Sequence, residues 1–386
     1  MRGYDVTIIG AGLAGLQCAR LLARHGLTVL LADRKSSLDQ KIHTTGIFVR
    51  KTLEDFSIPE DCLGPAVRHV SLFSPSHRVL ELESKYDEFR VGRMGKLYQR
   101  YLNQCLHSGV NWLPSATYLD SVTNTSGSTI RFNVGSSTQS ITTRFLIGAD
   151  GACSRVAGDL NLDQNNEWIV GVENVYDASA ISGPPRLYCF LNPRLSPGYI
   201  GWIAYDGEEA HVGVGGYPSH FDPLHALEEF EVDLRDVFDL RRCEKLERRG
   251  GRIPVGGVLR NIANDRGLLI GDAAGAVSPL TAGGLDPCMR LSTLAAIVTK
   301  DFLATGDVAA LERYSGKLFR SRFVSRIWAR RIAGYVSSGF LIETGCAALR
   351  LPLVNRLAAH VFFGRGSFPD VESTASCEPE VVLTNK

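Results

Sequence analysis

The chain has 386 residues, room for two or three domains, which excludes a peptide or a disulfide-stapled scaffold. Apolar residues make up 44% of it and charged residues 22%, excluding wholesale disorder and a multi-span membrane protein. Forty-two Lys and Arg against 41 Asp and Glu leave a net charge of +1, so no chain-wide field draws in nucleic acid.

Asp5 to Ile9 is a short β-branched run that meets Gly10-Ala-Gly12-Leu-Ala-Gly15, a strand running into a tight turn. Helical spacing from Leu13 to His25 stops at Gly26, and Leu27 to Ala32 reads as a second buried strand ending at Asp33. A helix is expected over Arg93 to His107, and short strands alternate over 116 to 148, ending in the buried run Arg144 to Gly148. The texture then changes to alternating strands at Trp168 to Val175, Arg186 to Leu191, Tyr199 to Tyr205 and Ala210 to Val214, with one helix at Pro223 to Phe238. Buried-strand texture returns at Gly267 to Gly271 before a helix from Leu285 to Leu303, and residues 308 to 363 are helical in pattern.

These elements predict a discontinuous nucleotide-binding α/β domain (1–70, 93–165 and 255–310) and an antiparallel α+β substrate domain (71–92 and 166–254). A C-terminal helical region (311–365) and a disordered tail (366–386) complete the expected organisation. Nine cysteines, odd in number and never in C-x-x-C spacing, read as buried thiols of a reducing compartment, with no metal site. No signal segment and no uninterrupted 18-residue apolar run are visible, so the expected location is cytoplasmic.

Gly10, Gly12 and Gly15 stand where a dinucleotide site needs a turn, a close backbone approach to a pyrophosphate, and close helix-on-strand packing. Asp33 ends the second strand with a carboxylate for a ribose hydroxyl and disfavours a 2′-phosphate, so this site is read as one for FAD or NAD. Two later stretches, Gly148-Ala-Asp150-Gly151 and Gly271-Asp272 through Gly283-Gly284, repeat the pattern of an acid at a strand end followed by glycines and a helix.

With these three motifs in order over roughly residues 4 to 310, the sequence resembles the FAD-dependent superfamily of aromatic hydroxylases and geranylgeranyl reductases. The resemblance implies a Rossmann-type, p-hydroxybenzoate hydroxylase-like FAD domain. FAD would be held non-covalently and reduced by NAD(P)H. Gly10, Gly12 and Gly15 would meet the pyrophosphate, and Asp33 with neighbouring Arg34 the adenosine ribose. Arg93 would meet the flavin side, Asp150 and Gly151 the pyrophosphate and nicotinamide approach, and Asp272 the ribitol chain. Gly283, Gly284 and Leu285 would turn a helix N-terminus toward the isoalloxazine, where reduced flavin carries negative charge.

Thr44-Thr45-Gly46-Ile47 looks like the reductases' C-x-G-I stretch with Thr44 in place of the cysteine, and Trp202 falls in a strand similar to their aromatic slot. Thr44, Trp202 and Tyr205 are therefore expected on the wall of a substrate pocket. His43 and Tyr205 are the candidate proton donors, with Asp286 a similar candidate that also suits a helix first turn. Arg320, Arg322, Arg326, Arg330 and Arg331, mixed with Phe323 and Trp328 over 318–333, suit either a peripheral membrane contact or a helix packed on the FAD domain. The function expected is reduction of C=C bonds in an apolar isoprenoid-type substrate. The alternatives are hydroxylation of an aromatic or polyketide ring, and non-redox use of flavin in a cyclase or isomerase.

Overall fold

The computed structural model describes residues 3–124, 127–335, 338–364 and 366–370. An eight-stranded sheet forms the first layer, and its central strands run parallel in the order Gly267–Leu269, Ser137–Gly148, Gly3–Ile9, Val29–Ala32, Asn111–Leu113. Val6 pairs with Val29 on one side and Phe145 on the other; all three are fully buried, as a parallel strand covered on both faces requires. The Leu13–Arg24 helix covers one face and is buried from Leu13 through Leu22, because the Met94–His107 and Leu285–Thr305 helices close over it. It ends at Gly26, whose φ of +80° is the expected glycine stop.

The second sheet has seven strands, in the order Glu244–Pro254, Trp168–Asp177, Glu209–Gly216, Gly201–Tyr205, Arg186–Phe190, His69–Phe73, Val79–Glu83. Its pairs are antiparallel apart from Arg186–Phe190 with His69–Phe73, where a hairpin from the N-terminal half adds on in parallel. That hairpin spans 69–83 rather than the expected 71–92, since Phe89–Gly92 pairs instead with Ile47–Val49 and Leu63–Val67 in a small third sheet.

Alternation along the strands gives the second sheet two unlike faces. Val172, Tyr176, Ile203, Tyr205, Val212 and Val214 pack on the Pro223–Asp233 helix through Ala226, Leu227 and Phe230, as a conventional core. The opposite face carries Gly171, Glu173, Trp202, His211, Gly213 and Gly215, and the 41–46 loop of the first domain lies against it.

The C-terminal helices pack partly on this body. Phe319, Phe323 and Ile327 enter the main core. Residues 366–370, expected to belong to the tail, are packed: Phe368 lies 5.8 Å from the Phe319 ring, and the Pro369 carbonyl accepts from Arg290 Nη1. The rest of the expected tail falls outside the described residues.

Candidate active site

The three glycines of the first turn differ in what holds them. Gly10 has φ +104°, and a Cβ there would sit 2.2 Å from the Ala149 carbonyl oxygen. A Cβ on Gly15 would fall 1.9 Å from the Gly10 oxygen, so helix and strand touch backbone to backbone. Gly12 faces open space, with no atom within 4 Å of its Cβ position. It is also the N-cap of the Leu13–Arg24 helix and caps it with no side chain, so the first N–H groups of that helix face the same opening.

A second uncapped helix start lies beside it. Gly284 is the N-cap of the Leu285–Thr305 helix, and a Cβ on it would stand 3.8 Å from Asp272 Oδ1. Gly271, with φ +57°, brings the Asp272 turn to within 2.9 Å of Ala14 Cβ, measured from its own Cβ position. Gly12, Asp272 and Gly284 thus line one groove. Among the described residues the Asp272 carboxylate accepts no hydrogen bond, and burial pushes its pKa up to about 6. A half-buried acceptor that receives no hydrogen bond, beside two helix starts with no side-chain cap, fits a ligand with hydroxyl and pyrophosphate groups, and so fits FAD. In that fit Gly10, Gly12, Gly15 and Asp272 would hold the cofactor, and the N–H groups at the Leu285 helix start would be available to negative charge on it.

Asp33 is half-buried, and its two oxygens accept from Ala11 N–H (2.7 Å) and Lys35 N–H (2.8 Å), pinning the strand end to the glycine turn. Each oxygen keeps a second lone pair for a ribose hydroxyl. Arg34 is exposed beside it, and Gly283 lies in the loop just before Gly284. Asp150 shapes its own turn instead of reaching out. It accepts from Ser154 Oγ at 2.6 Å and from the N–H groups of Arg155 and Val156, starting a short helix, while burial raises its pKa. Gly151, at φ +85°, permits that turn.

Arg93 has partners that the sequence did not announce. Its guanidinium pairs with three carboxylates of the second domain, Asp206 and Glu208 at 2.7 Å and Glu209 at 3.1 Å, and so ties the two domains together. Gly64 makes room for this cluster, since a Cβ there would come within 2.2 Å of Asp206 Oδ2. Asp286 is structural as well: it accepts from Thr52 and from Arg290, a fully buried guanidinium that also pairs with Asp55.

The face of the second sheet that meets the 41–46 loop is built around Trp202. Its indole lies over a floor of glycines: a Cβ at Gly213 would be 2.3 Å from the ring, one at Gly215 3.5 Å and one at Gly171 3.6 Å. Tyr199 meets Trp202 edge-on with centroids 6.2 Å apart, and its hydroxyl donates to the Thr281 carbonyl at 2.8 Å, in the loop that leads to Gly284. Trp202 is thereby joined, through Tyr199, to the loop that leads to the Gly284 helix start. Tyr205 does not share this wall. An odd number of residues from Trp202, it points through the sheet into the helix-side core, where its hydroxyl donates to the Ile181 carbonyl and its ring meets Phe238. It can be neither pocket wall nor proton donor at that position.

The 41–46 loop is fixed to the same face by three contacts. His43 is exposed, with Nδ1 3.0 Å from the Gly250 carbonyl. Thr44 offers its carbonyl to Arg249 Nη1 at 2.9 Å. Thr45 donates to Glu173 Oε2 at 2.5 Å.

Glu173 was not anticipated, although a lone acid in the otherwise apolar run Trp168-Ile-Val-Gly-Val-Glu173 was the available signal. It is 3% exposed. Trp202 Nε1 donates to its Oε2 at 3.1 Å, His211 Nδ1 lies 3.4 Å from Oε1, and Arg249 is 3.9 Å away. Burial acts to raise the Glu173 pKa, but hydrogen bonds from His211 and Thr45 and the Arg249 charge outweigh it, and the net shift is downward. Burial likewise acts to lower the His211 pKa, and its bonds to Glu173 and Glu209 reverse the sign, so that the imidazolium is favoured. Among the described residues no group of His, Cys, Asp and Glu is arranged to hold a metal ion.

A protein-family model described as an FAD binding domain matches residues 3–327. The digeranylgeranylglycerophospholipid reductase of Methanocella arvoryzae is 25% identical over 325 residues, 82% of each chain. The geranylgeranyl diphosphate reductase of Rhodobacter capsulatus is 26% identical over 337 residues, 83% of this chain and 80% of that one. Among solved structures, a geranylgeranyl bacteriochlorophyll reductase-like protein of Thermoplasma acidophilum superposes with a TM-score of 0.83 at 18% identity, covering 97% of this chain and 99% of the other. The p-nitrophenol 4-monooxygenase of Pseudomonas putida superposes with a TM-score of 0.74 at 14% identity over 96% and 100%, and such likenesses show the shared fold. With a groove that fits FAD and a family match over most of its length, the chain belongs to the FAD binding domain family, as a geranylgeranyl reductase-like FAD-dependent oxidoreductase.

Proposed function

We propose that the protein reduces carbon–carbon double bonds of an apolar, isoprenoid-type substrate, using NADH or NADPH as the source of reducing equivalents. The observation that carries this reading is the Trp202 indole laid over Gly171, Gly213 and Gly215 on the face turned to the 41–46 loop. A flat aromatic wall without side chains behind it gives an extended hydrocarbon a slot to lie in, and burial there is worth about 25 cal/mol per Å². The named activities of the curated relatives point the same way. When bound, FAD supplies the hydride chemistry. The chain's own residues hold the cofactor at Gly12, Asp272 and Gly284, present Trp202 to the hydrocarbon, and close the pocket rim through Tyr199.

The C-terminal helices complete that rim. Arg330 is 2% exposed and sits between the rings of Tyr199 and Tyr217, 5.3 and 5.0 Å from their centroids, so the Val324–Tyr335 helix is docked beside the pocket. Arg320 is likewise turned inward, donating to the carbonyls of Gly256 and Val258. Neither serves a membrane-facing basic cluster. The outward face of this helix instead presents Val324, Trp328 and Ile332 at i, i+4 and i+8, with Arg331 beside them and Phe340 and Leu341 on the next helix. Among the described residues no single helix is long and apolar enough to cross a membrane. An amphipathic surface of this kind favours peripheral contact, where a polyprenyl substrate resides.

The test is an anaerobic assay of the FAD-loaded protein with NADH or NADPH, offering geranylgeranyl diphosphate and a geranylgeranylated phospholipid as probes. Products heavier by two hydrogens per double bond, formed without oxygen, are expected. The hydroxylase reading shares the fold of the monooxygenase neighbour and would require product formation to consume O₂ instead.

A further inference from the structure

A C=C reduction needs a proton as well as a hydride, and on the substrate-side face one hydroxyl is wired to buried acid. Thr45 Oγ1 donates to Glu173 at 2.5 Å, Glu173 meets His211 Nδ1 at 3.4 Å, and His211 Nε2 lies 3.3 Å from Glu209. Glu209 in turn meets Arg93 at 3.1 Å, and Arg93 pairs with the exposed Glu208. His211 is fully buried and Glu173 nearly so, while Thr45 and Glu209 at the two ends are only half-buried. The chain of polar groups therefore starts at the 41–46 loop, runs buried along one face of the second sheet and ends near solvent. We propose that Thr45, Glu173, His211 and Glu209 form the proton relay of the pocket, with the Thr45 hydroxyl as the group that protonates substrate carbon. This rests on the reductase reading above.

The step balances as follows. The hydride brings one hydrogen and the electron pair to one carbon of the double bond. His211 Nδ1 gives its proton to the Glu173 carboxylate, and the acid so formed donates to Thr45 Oγ1 and frees the hydroxyl hydrogen to turn to substrate; the Thr45 O–H bond then breaks as a C–H bond forms at the other carbon, while the Thr45 oxygen takes the proton from Glu173. Glu209 keeps the Nε2 proton of His211 in place throughout, and once product leaves, a solvent proton returns through Thr45 and Glu173 to Nδ1, so the net consumption is one proton and the relay returns to its starting state. A relay loaded at rest requires His211 to carry a proton, and the upward shift of its pKa favours that form. Glu173 and Glu209 favour the imidazolium from two strands, while the positive charge of Arg249 on a third opposes it; Arg93 faces Glu209 from its far side. A buried ion pair without such a task is hard to justify, because an apolar pair of the same shape is often as stable. His43, although nearer the rim, is joined only to a backbone carbonyl.

Two readouts test this on the FAD-loaded protein. In histidine-labelled protein without substrate, the NMR signal absent from His211→Gln identifies His211. It should titrate above the ordinary histidine range and fall back in Glu173→Gln; a signal that stays neutral from about pH 5 to about pH 9 overturns the relay. In a single turnover, pre-reduced protein is mixed without oxygen with geranylgeranyl diphosphate and flavin reoxidation is followed. The wild-type rate should fall as pH rises through the His211 titration and slow in D₂O. Thr45→Val should slow it by about a hundredfold and flatten the pH profile, and Thr45→Ser should restore both. Thr45→Val with the wild-type rate, pH profile and solvent isotope effect overturns the proposal, provided FAD content shows the variant folded. If wild-type flavin is not reoxidised by the probe at all, the reductase reading falls, and the NMR titration alone then decides whether His211 is the charged centre the relay needs.

Discussion

The Glu173 carboxylate and the Trp202 indole are joined by a 3.1 Å hydrogen bond on the face of the second sheet that meets the 41–46 loop. The bond fixes the ring in its plane, and the glycines beneath leave space for that plane to lie against the sheet. One polar contact and three absent side chains therefore set how the Trp202 ring lies on this face, the wall proposed for the substrate.

Gly213→Ala tests this arrangement directly. The new methyl would stand 2.3 Å from the Trp202 ring and 2.8 Å from Glu173 Cβ, so the indole must lift off the sheet. The expected cost is about 1–3 kcal/mol of stability, with a raised KM for a polyprenyl probe and unchanged FAD content. Thermal unfolding, steady-state kinetics and flavin absorbance would check it; an unchanged KM would show that the wall is elsewhere.

The glycine turn yields a contrast between two neighbours. Gly12→Val meets open space and should give a folded protein that has lost its yellow colour, because the side chain occupies the approach to the pyrophosphate. Gly15→Val would drive a side chain into the Gly10 carbonyl, with Cβ only 1.9 Å from that oxygen, and should fail to fold. Circular dichroism and flavin content separate the two. A folded, colourless Gly15→Val would overturn the packing argument.

The FAD half was legible because its chemistry is written in local spacing: Gly10, Gly12 and Gly15 act within one turn, and Asp272 is followed by its own glycines. The substrate half depends on which residues share a sheet face, and a shift of one position reverses that. Trp202 and Tyr205 are three apart, hence on opposite faces, and reading them as one aromatic motif joined residues that the pleat separates. The ion pairs of Arg93 were out of reach for a related reason. Its partners Asp206, Glu208 and Glu209 lie more than a hundred residues downstream, and no local pattern reports a pairing made by domain contact. Glu173 and His211 showed only as polar residues in apolar strands, and their pairing comes from antiparallel register, Glu173 opposite Gly213 and His211 one step along the same face.

Asp272 gives a pH prediction. Its pKa is 3.8 in an unfolded chain and about 6 when folded, so the folded state favours the protonated acid. Below pH 3.8 both states are neutral and the group has no effect; as pH rises through about 6 its ionisation destabilises the cofactor-free fold. Solvent reaches the half-buried carboxyl and screens part of this, leaving roughly 1–2 kcal/mol. Asp272→Asn should therefore unfold at a higher temperature than the wild type at pH 7 when stripped of FAD, lose the advantage near pH 4, and bind FAD more weakly. A pH-independent difference in Tm would contradict the assignment.

The last prediction concerns the outward face of the C-terminal helices. Val324, Trp328 and Ile332 are 47, 59 and 64% exposed and Phe340 is 78% exposed, more apolar surface than a helix facing only water presents. Arg322 and Arg331 stand exposed close by, whereas Arg320 and Arg330 are spent on contacts inside the protein. Binding to vesicles should thus draw more on apolar insertion than on charge. Each exposed arginine contributes about 1 kcal/mol at an anionic surface, and burial of one large apolar side chain about 1.5–3 kcal/mol. The paired change Trp328→Ser and Ile332→Ser should abolish sedimentation with anionic vesicles. The pair Arg322→Gln and Arg331→Gln should reduce it only at low salt, because screening already removes that part at high salt. Neither pair should alter FAD content, since none of the four residues touches the cofactor groove. If the serine variant sediments as the wild type does, this face is not the membrane contact, and the exposed stripe belongs to another surface of the assembled enzyme.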